Sequence, residues 1–109
     1  MENEIIQKAL LELRRGIIIL AVLSQLDEEQ YGYNLLKLLA DKGFVVEQGT
    51  LYPLLRRLES QGLLNSSWKL EEPHPRRYYV ISQEGQETLP RLIEEWRGIE
   101  KVMNKLLGD

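Results

Sequence analysis

Side chains that can contact a nucleic acid are concentrated between residues 48 and 79. This segment contains five basic residues against three acidic ones, a local excess of positive charge in a chain whose net charge is −3. Such a patch can neutralise a few phosphates, while the acidic remainder of the chain limits unspecific adhesion. On charge alone, an ordinary solvated surface explains the segment as well. The charged residues are Arg56, Arg57, Lys69, Arg76 and Arg77, opposed by Glu59, Glu71 and Glu72.

Residues suited to enzymatic chemistry are sparse. The chain has one histidine, His74, and no cysteine, which excludes disulfides, thiolate metal sites and thiol catalysis. Because His74 has no histidine or cysteine nearby, we expect a solvated or phosphate-facing imidazole and no metal ligand. The sequence also lacks a glycine-rich phosphate loop and an evident carboxylate pair. These features predict a protein that is not an enzyme and that holds no metal and no cofactor.

The spacing of apolar residues predicts three amphipathic helices in the first half of the chain. The first is apolar on two faces and therefore needs two packing partners. Gly43 and Gly62 can end the second and third helices in the left-handed conformation. Thr50 is a candidate N-cap of the third helix, which would place Pro53 in the first turn. The predicted helices are Glu4 to Leu26, Gly32 to Lys42, and Gln48 or Thr50 to Gln61.

The second half of the chain changes period and then becomes helical again. Leu63 to Leu70 and Arg77 to Ser82 are predicted strands of a β-hairpin, and the loop between them contains two prolines. A final helix is predicted from Gln83 to Leu107. Pro90 lies inside it, which predicts either a kink or a second helix capped by Thr88.

The final helix carries a long apolar seam. Its apolar residues alternate at spacings of three and four, as in a coiled coil, and a seam of this length needs a partner. Together with the two-faced first helix, it predicts an obligate homodimer. The seam consists of Leu89, Leu92, Trp96, Ile99, Met103 and Leu106.

The order of elements predicts a mainly α fold with a small β-hairpin, a winged helix-turn-helix with a C-terminal dimerisation helix. Residues 1–82 would form the DNA-binding domain, to which the first helix adds part of the dimer interface, and residues 83–109 would form the dimerisation helix. The longest apolar run, Ile17 to Leu23, is far shorter than the roughly 20 residues that span a bilayer. We therefore expect a cytoplasmic protein with no membrane partner.

Several motifs closely resemble those of the PadR family of transcription regulators. They are Tyr31-Gly32-Tyr33, the stretch from Gly49 through Thr50-Leu51-Tyr52-Pro53 to Glu59, Gly62-Leu63, Trp68, and Arg76-Arg77-Tyr78-Tyr79. The resemblance covers nearly the whole chain. It implies a repressor that binds a palindromic operator in double-stranded DNA as a homodimer. The single C-terminal helix is similar to that of the short, multidrug-responsive branch of the family.

The resemblance also implies which residues contact DNA. Thr50, Tyr52, Arg56 and Arg57 would belong to a recognition helix in the major groove, and Tyr31 would meet a phosphate. Gln48 is added for its side-chain chemistry. By composition, the wing residues around the proline-containing tip suit minor-groove or phosphate contact: Lys69, His74, Arg76 and Arg77. Glutamine can pair with adenine and arginine with guanine or phosphate. Other roles stay open: Thr50 as a cap only, Tyr52 as half core, and Arg57 paired with glutamates of its own helix. For Tyr33 we expect core packing.

By the same resemblance, Trp96 and its symmetry mate would line a pore at the dimer centre that stacks planar aromatic compounds, whose binding would release the DNA. The alternative is that the two indoles simply fill the interface. Acidic neighbours would favour cationic guests if they point inward. The candidate ligand residues are Leu10, Leu13, Ile17, Leu92, Ile93, Trp96, Ile99 and Glu100. The alternative function for the whole chain is a winged-helix module for protein–protein assembly without DNA binding.

Overall fold

The computed structural model of the protein describes residues 3–71 and 73–108. Glu72, one of the acidic residues of the basic segment, lies outside the described residues. Within them, four helices surround a three-stranded antiparallel sheet. The elements in chain order are α1 (Glu4–Ser24), β1 (Gln30–Tyr31), α2 (Gly32–Asp41), α3 (Gln48–Ser60), β2 (Leu64–Lys69), β3 (Arg76–Ile81) and α4 (Gln83–Leu106).

Helix α1 is divided into an exposed and a buried half. Asn3 caps it, its side chain accepting a hydrogen bond from the backbone N–H of Ile6 at 2.9 Å. Only residues of the second half, such as Ile18 and Val22, are buried in the core. The helix ends at Ser24, two residues before the predicted end, although Leu26 is still buried.

Helices α2 and α3 form a helix-turn-helix closed by two glycines. Gly43 and Gly62 follow the two helices with φ values of 93° and 87°, the left-handed conformation predicted for them. Arg14 of α1 holds the connecting loop, because its guanidinium donates to the carbonyl of Val45 at 2.6 Å and lies 4.6 Å from the Phe44 ring. The loop that presents α3 is therefore fastened to α1.

The start of α3 agrees with the earlier of the two predicted positions. The helix begins at Gln48 after Glu47, so Thr50 is not its N-cap. Pro53 consequently lies at the sixth helical position, beyond the first turn, where its missing N–H removes one intrahelical hydrogen bond. The apolar face of α3 outweighs that cost, since Leu51, Leu55 and Leu58 are fully buried.

The sheet has one strand more than the predicted hairpin. Its order is β1-β3-β2, and β1 adds two residues to the outer edge of β3, with Tyr31 opposite Tyr78. Strands β2 and β3 pair from Leu64 with Ile81 to Lys69 with Arg76. The winged helix-turn-helix fold is thus present, and its wing, β2 and β3, directly follows α3.

Ser82 joins the wing to the last helix. This buried residue accepts a hydrogen bond from the Gly85 N–H at 3.0 Å and donates from its hydroxyl to the Gly62 carbonyl at 2.6 Å. Its own N–H donates to the Leu63 carbonyl. The adjacent Ile81 N–H donates to the Leu26 carbonyl. One buried corner therefore connects the ends of α1, α3 and the wing to the start of α4.

Helix α4 passes Pro90 without ending. It begins at Gln83 with Ser82 as N-cap, so the prediction that Thr88 starts a second helix is wrong. The Thr88 hydroxyl instead donates back to the Glu84 carbonyl at 2.7 Å, inside the same helix. None of the described helices has a stretch long and apolar enough to cross a membrane.

Candidate nucleic-acid interface

An open cleft of about 640 Å³ lies between the N-terminus of α2, the exposed side of α3 and the wing. Its walls bring together six of the ten residues predicted to contact DNA: Tyr31, Tyr52, Arg56, His74, Arg76 and Arg77. Aromatic rings and guanidinium groups alternate along it. These groups can hold phosphates, stack on one another or donate to base edges.

Tyr52 faces the cleft from α3 and packs closely against α2. A Cβ added to Gly32 would lie 2.5 Å from the Tyr52 ring, so the absence of a side chain at Gly32 allows this approach. Burial, and secondarily the neighbouring Tyr31, raises the pKa of the Tyr52 phenol. The hydroxyl therefore stays protonated at neutral pH and can donate. Tyr52 is partly buried against the core, so the expected half-core role is present as well.

Aromatic rings support Arg76 on the opposite wall. Its guanidinium lies 4.5 Å from the centre of the Tyr31 ring, and that ring contacts Tyr78 at 5.5 Å. Tyr33 is 55% exposed and lies 6.5 Å from Tyr31, so the prediction that it packs in the core is wrong. It extends the aromatic surface at the start of α2 and leaves the core to Leu35 and Leu39.

Arg77 is bound within its own subunit. It donates to Glu59 of α3 at 2.8 Å and to the Ser66 hydroxyl of β2 at 3.2 Å. Rings of Trp68 and Tyr79 lie 5.8 and 5.5 Å from its guanidinium. Arg77 thus lies at the cleft, but its guanidinium group donates its hydrogen bonds to Glu59 and Ser66 of the same chain.

Lys69 is also partnered. Its ammonium forms an ion pair with Glu29, from the loop before β1, and this hydrogen bond raises the pKa of Lys69. Nearby, Tyr78 donates to Glu71 at 2.6 Å, and that bond raises the pKa of the phenol. Acidic side chains therefore already occupy part of the wing surface that was predicted to meet phosphate.

The remaining predicted residues lie elsewhere on α3. Thr50 and Arg57 line a smaller cleft of about 250 Å³ between α1 and α3, together with Leu11 and Arg15. Gln48 is exposed in the first turn. Arg57 makes no salt bridge to any residue in the ranges 3–71 and 73–108, so pairing with glutamates of its own helix is not observed there. Thus α3 presents two polar sides, one toward the wing and one toward α1.

A separate apolar face is exposed on α1 and α4. The first half of α1 exposes five large apolar residues, and Leu13 alone is 70% exposed. On α4, Leu89 and Leu92 pack against the subunit's own core, so the exposed part of the seam begins at Trp96. The large exposed apolar residues are Ile5, Ile6, Leu10, Leu11 and Leu13 on α1, and Trp96, Ile99, Val102, Met103, Leu106 and Leu107 on α4.

The other predicted ligand residues lie along the same face. Ile17, Leu92 and Ile93 are half-buried within one subunit, and Glu100 is exposed. Trp96 is 37% exposed. The chain therefore leaves part of an indole exposed on the same helix as other exposed apolar side chains. Within the described part of the chain, no cluster of histidine, cysteine or carboxylate residues could hold a metal ion.

Sequence reasoning missed the carboxylates that organise the wing. Glu29 and Glu59 count only as negative charges in a sequence, yet each holds a wing cation. The spacing of Glu59, Ser66 and Arg77 carries no local pattern, because the contact depends on how β2 and β3 pair. The one usable signal was that Glu59 stands in the last turn of a helix, where a carboxylate is unfavourable without a partner.

A helix-turn-helix followed by a β-wing, with cationic and aromatic groups between them, defines the class of winged-helix regulators. Residues 19–91 match the Transcriptional regulator PadR-like family, about two thirds of the chain. The chain belongs to the PadR-like family of DNA-binding transcriptional regulators. The resemblance inferred from the motifs is confirmed, and with it the expectation of a regulator that is not an enzyme.

Individual relatives are similar to this chain over most of their lengths. The chain is 48% identical to a PadR family transcriptional regulator from Eggerthella lenta, with a TM-score of 0.87 over 96% of this chain and 94% of that one. A PadR family regulator from Clostridium difficile is 34% identical, with a TM-score of 0.72 over 82% and 96% of the two chains. The transcriptional regulator Rv3488 of Mycobacterium tuberculosis is 35% identical over 98 residues, 89% of each chain.

Proposed function

We propose that the protein binds a specific operator through α3 in the major groove, with the wing holding the flanking backbone. The main support for operator binding is the cleft between α3 and the wing. In this cleft, Tyr52 and the exposed Arg56 of α3 face Arg76 of the wing. Arg56 can read a guanine edge or hold a phosphate, while Arg76, stacked on Tyr31, is suited to phosphate. Family membership favours this function over a pure protein–protein module.

A salt-dependent gel shift on the region upstream of the protein's own gene tests the proposal. Arg56→Ala should cost about 1–3 kcal/mol of binding free energy, with relaxed preference at one base position if it reads that base. Arg97→Ala, an exposed arginine of α4, removes the same charge far from the cleft and serves as the matched control. Unchanged operator affinity for Arg56→Ala would refute the recognition-helix assignment.

The exposed apolar face supports the proposal of a homodimer on a palindromic operator. A stable protein rarely leaves so many large apolar residues open along two helices, and a second copy covers them without a further partner. Two recognition helices related by a twofold axis then match two half-sites. Sedimentation at micromolar concentration should give a single species of twice the 12.8 kDa chain mass. A folded monomer would contradict this part of the proposal.

We also propose repression that a planar cationic aromatic compound relieves by entering between the two Trp96 side chains. The support is the partly exposed indole beside Ile99 and Glu100 on the face assigned to the dimer. A ligand that prefers one dimer spacing shifts the population toward it. Titration with a planar cationic dye should quench tryptophan fluorescence, and Trp96→Ala should abolish the effect while Trp68 remains as internal reference. Quenching that survives Trp96→Ala would rule out this site.

A further inference from the structure

Three side chains from three elements meet at the base of the wing. Arg77 of β3 donates through Nη2 to Oε1 of Glu59 at 2.8 Å and through Nε to Oγ of Ser66 at 3.2 Å. Ser66 of β2 donates to the other oxygen of Glu59 at 2.6 Å. The three groups close a ring of hydrogen bonds, and each belongs to a different element: α3, β2 or β3.

The surroundings of this ring strengthen it. The side chains of Arg77 and Glu59 are only 35% and 29% exposed. Trp68 and Tyr79 lie beside the guanidinium, within 5.8 Å of it. Partial shielding from water makes a charge-assisted pair stronger than a surface ion pair, and a planar fork fixes direction as well as distance.

The position of Glu59 is unfavourable for a carboxylate that has no partner. It stands in the last turn of α3, where the helix dipole disfavours a carboxylate. It also adds negative charge to α3, the helix proposed to contact DNA, which is itself negatively charged. A free glutamate at this place would weaken both the helix and DNA binding, so its contribution must come from the groups it holds.

We propose that Glu59, Ser66 and Arg77 are positioning residues for DNA recognition: they fix the wing at one angle to the recognition helix, so that both contact the same stretch of duplex. This inference rests on the proposed use of α3 and the wing. It changes the role of Arg77, which acts through Glu59 and Ser66 and not by holding a phosphate. Arg76, its neighbour on β3, keeps the phosphate role.

A purely electrostatic role and a positioning role of Glu59 predict opposite changes in DNA affinity for one substitution. Glu59→Gln removes a negative charge near DNA, which by charge alone raises affinity; loss of the ring should instead lower affinity about tenfold. Glu47→Gln is the matched control, because Glu47 is an exposed acid that directly precedes α3 and has no salt bridge within residues 3–71 and 73–108. Its affinity should rise or stay unchanged.

Substitutions of Arg77, Arg76 and Ser66 separate positioning from phosphate contact. Arg77→Lys keeps the charge but loses the fork, so it should weaken binding as much as Glu59→Gln, and the double variant should be no weaker than either single one. Arg77→Gln, which removes the charge, should leave the dependence of affinity on salt unchanged, whereas Arg76→Ala should lower its slope by about one. Ser66→Ala should weaken binding, and Ser66→Thr, which keeps the hydroxyl, should restore it.

The measurements use the full-length protein and the duplex that the wild type selects from a random pool. Hydroxyl-radical footprints of Glu59→Gln should lose the wing's protection and keep that of α3. Tighter binding by Glu59→Gln, or a reduced salt slope for Arg77→Gln, would overturn the positioning role alone, provided that Arg56→Ala weakens binding. If Arg56→Ala has no effect, the interface is misassigned and the positioning role fails with it. Should Glu59→Gln not fold, the contrast between Ser66→Ala and Ser66→Thr decides.

Discussion

The wing and the apolar face of α1 and α4 differ in how many of their side chains have partners within the chain. At the wing, Lys69 and Arg77 already have carboxylate partners, and Arg76 lies on an aromatic ring. On α1 and α4, by contrast, large apolar side chains such as Leu13 and Leu106 are more than two thirds exposed. The charged and aromatic groups of the wing are thus positioned by contacts within the chain, whereas the apolar face has no such partners among residues 3–71 and 73–108, as the proposed homodimer would require.

A charge placed on the apolar face should have the largest effect. Met103→Asp should prevent dimerisation, because the carboxylate would be buried against a second copy of the seam. Loss of the second half-site should then lower operator affinity by about 10²–10⁴-fold, although the cleft is untouched. Sedimentation and gel shifts on the same samples measure both effects. Lys101→Asp, at an exposed position off the seam, should leave the dimer intact, and dimeric Met103→Asp would refute the assignment of this face.

A change at the corner that joins the two surfaces should have the next largest effect. A Cβ at Gly85 would lie 2.3 Å from the Leu63 carbonyl oxygen and 2.6 Å from Ile81, so Gly85→Ala should lower the free energy of unfolding by about 1–3 kcal/mol. Gly49→Ala is the control: it is also helical but has nothing within 4 Å, and it should be neutral or slightly stabilising. Urea unfolding at one protein concentration compares the two, and equal midpoints would contradict the packing at this corner.

Removal of the ion pair between Glu29 and Lys69 at the wing should have the smallest effect. Glu29→Gln removes the partner of Lys69 and frees its ammonium for phosphate. Because exposed ion pairs contribute at most about 1 kcal/mol, operator affinity should rise by no more than roughly fivefold, with a steeper salt dependence. The gain should disappear in Glu29→Gln combined with Lys69→Ala. Weaker binding by the single variant would mean that the pair orders the wing and does not restrain it.

The sequence predicted the helices, the hairpin and the family because these depend on local patterns. The apolar spacing of α3 and the glycines at residues 43 and 62 act within a few residues, so they are readable without a structure. Strand β1 was missed because two residues are too short for any period to show. Thr50 was considered a candidate cap on residue type alone, whereas the N-cap is Glu47 and the helix begins at Gln48.

Site residues were predicted by type but not by partner. Arg56, Arg76 and Tyr52 lie around one cleft as the motifs suggested. Arg77 looks the same as Arg76 in the sequence, yet neighbouring residues of a strand point to opposite faces. Arg76 stacks on Tyr31, and Arg77 reaches Glu59 across the wing. Only the pairing of the strands and their contact with α3 distinguish the two arginines.

The buried corner at Ser82 holds the start of α4, and the packing of Leu89 and Leu92 on the core holds the turns that follow, so the rest of the helix is a lever arm. The Ser82 hydroxyl donates to the Gly62 carbonyl, and the Ser82 N–H donates to the Leu63 carbonyl. Beyond Leu92 the helix continues for about 14 residues, roughly 21 Å, to Leu106. A rotation of about 5° at Leu92 moves the far end by about 2 Å, as follows from that length. Conversely, a displacement of about 2 Å at the end of the seam reaches the core only as a slight tilt. A guest at the proposed Trp96 site would lie near the held end of this arm and would act with less than about a third of its length.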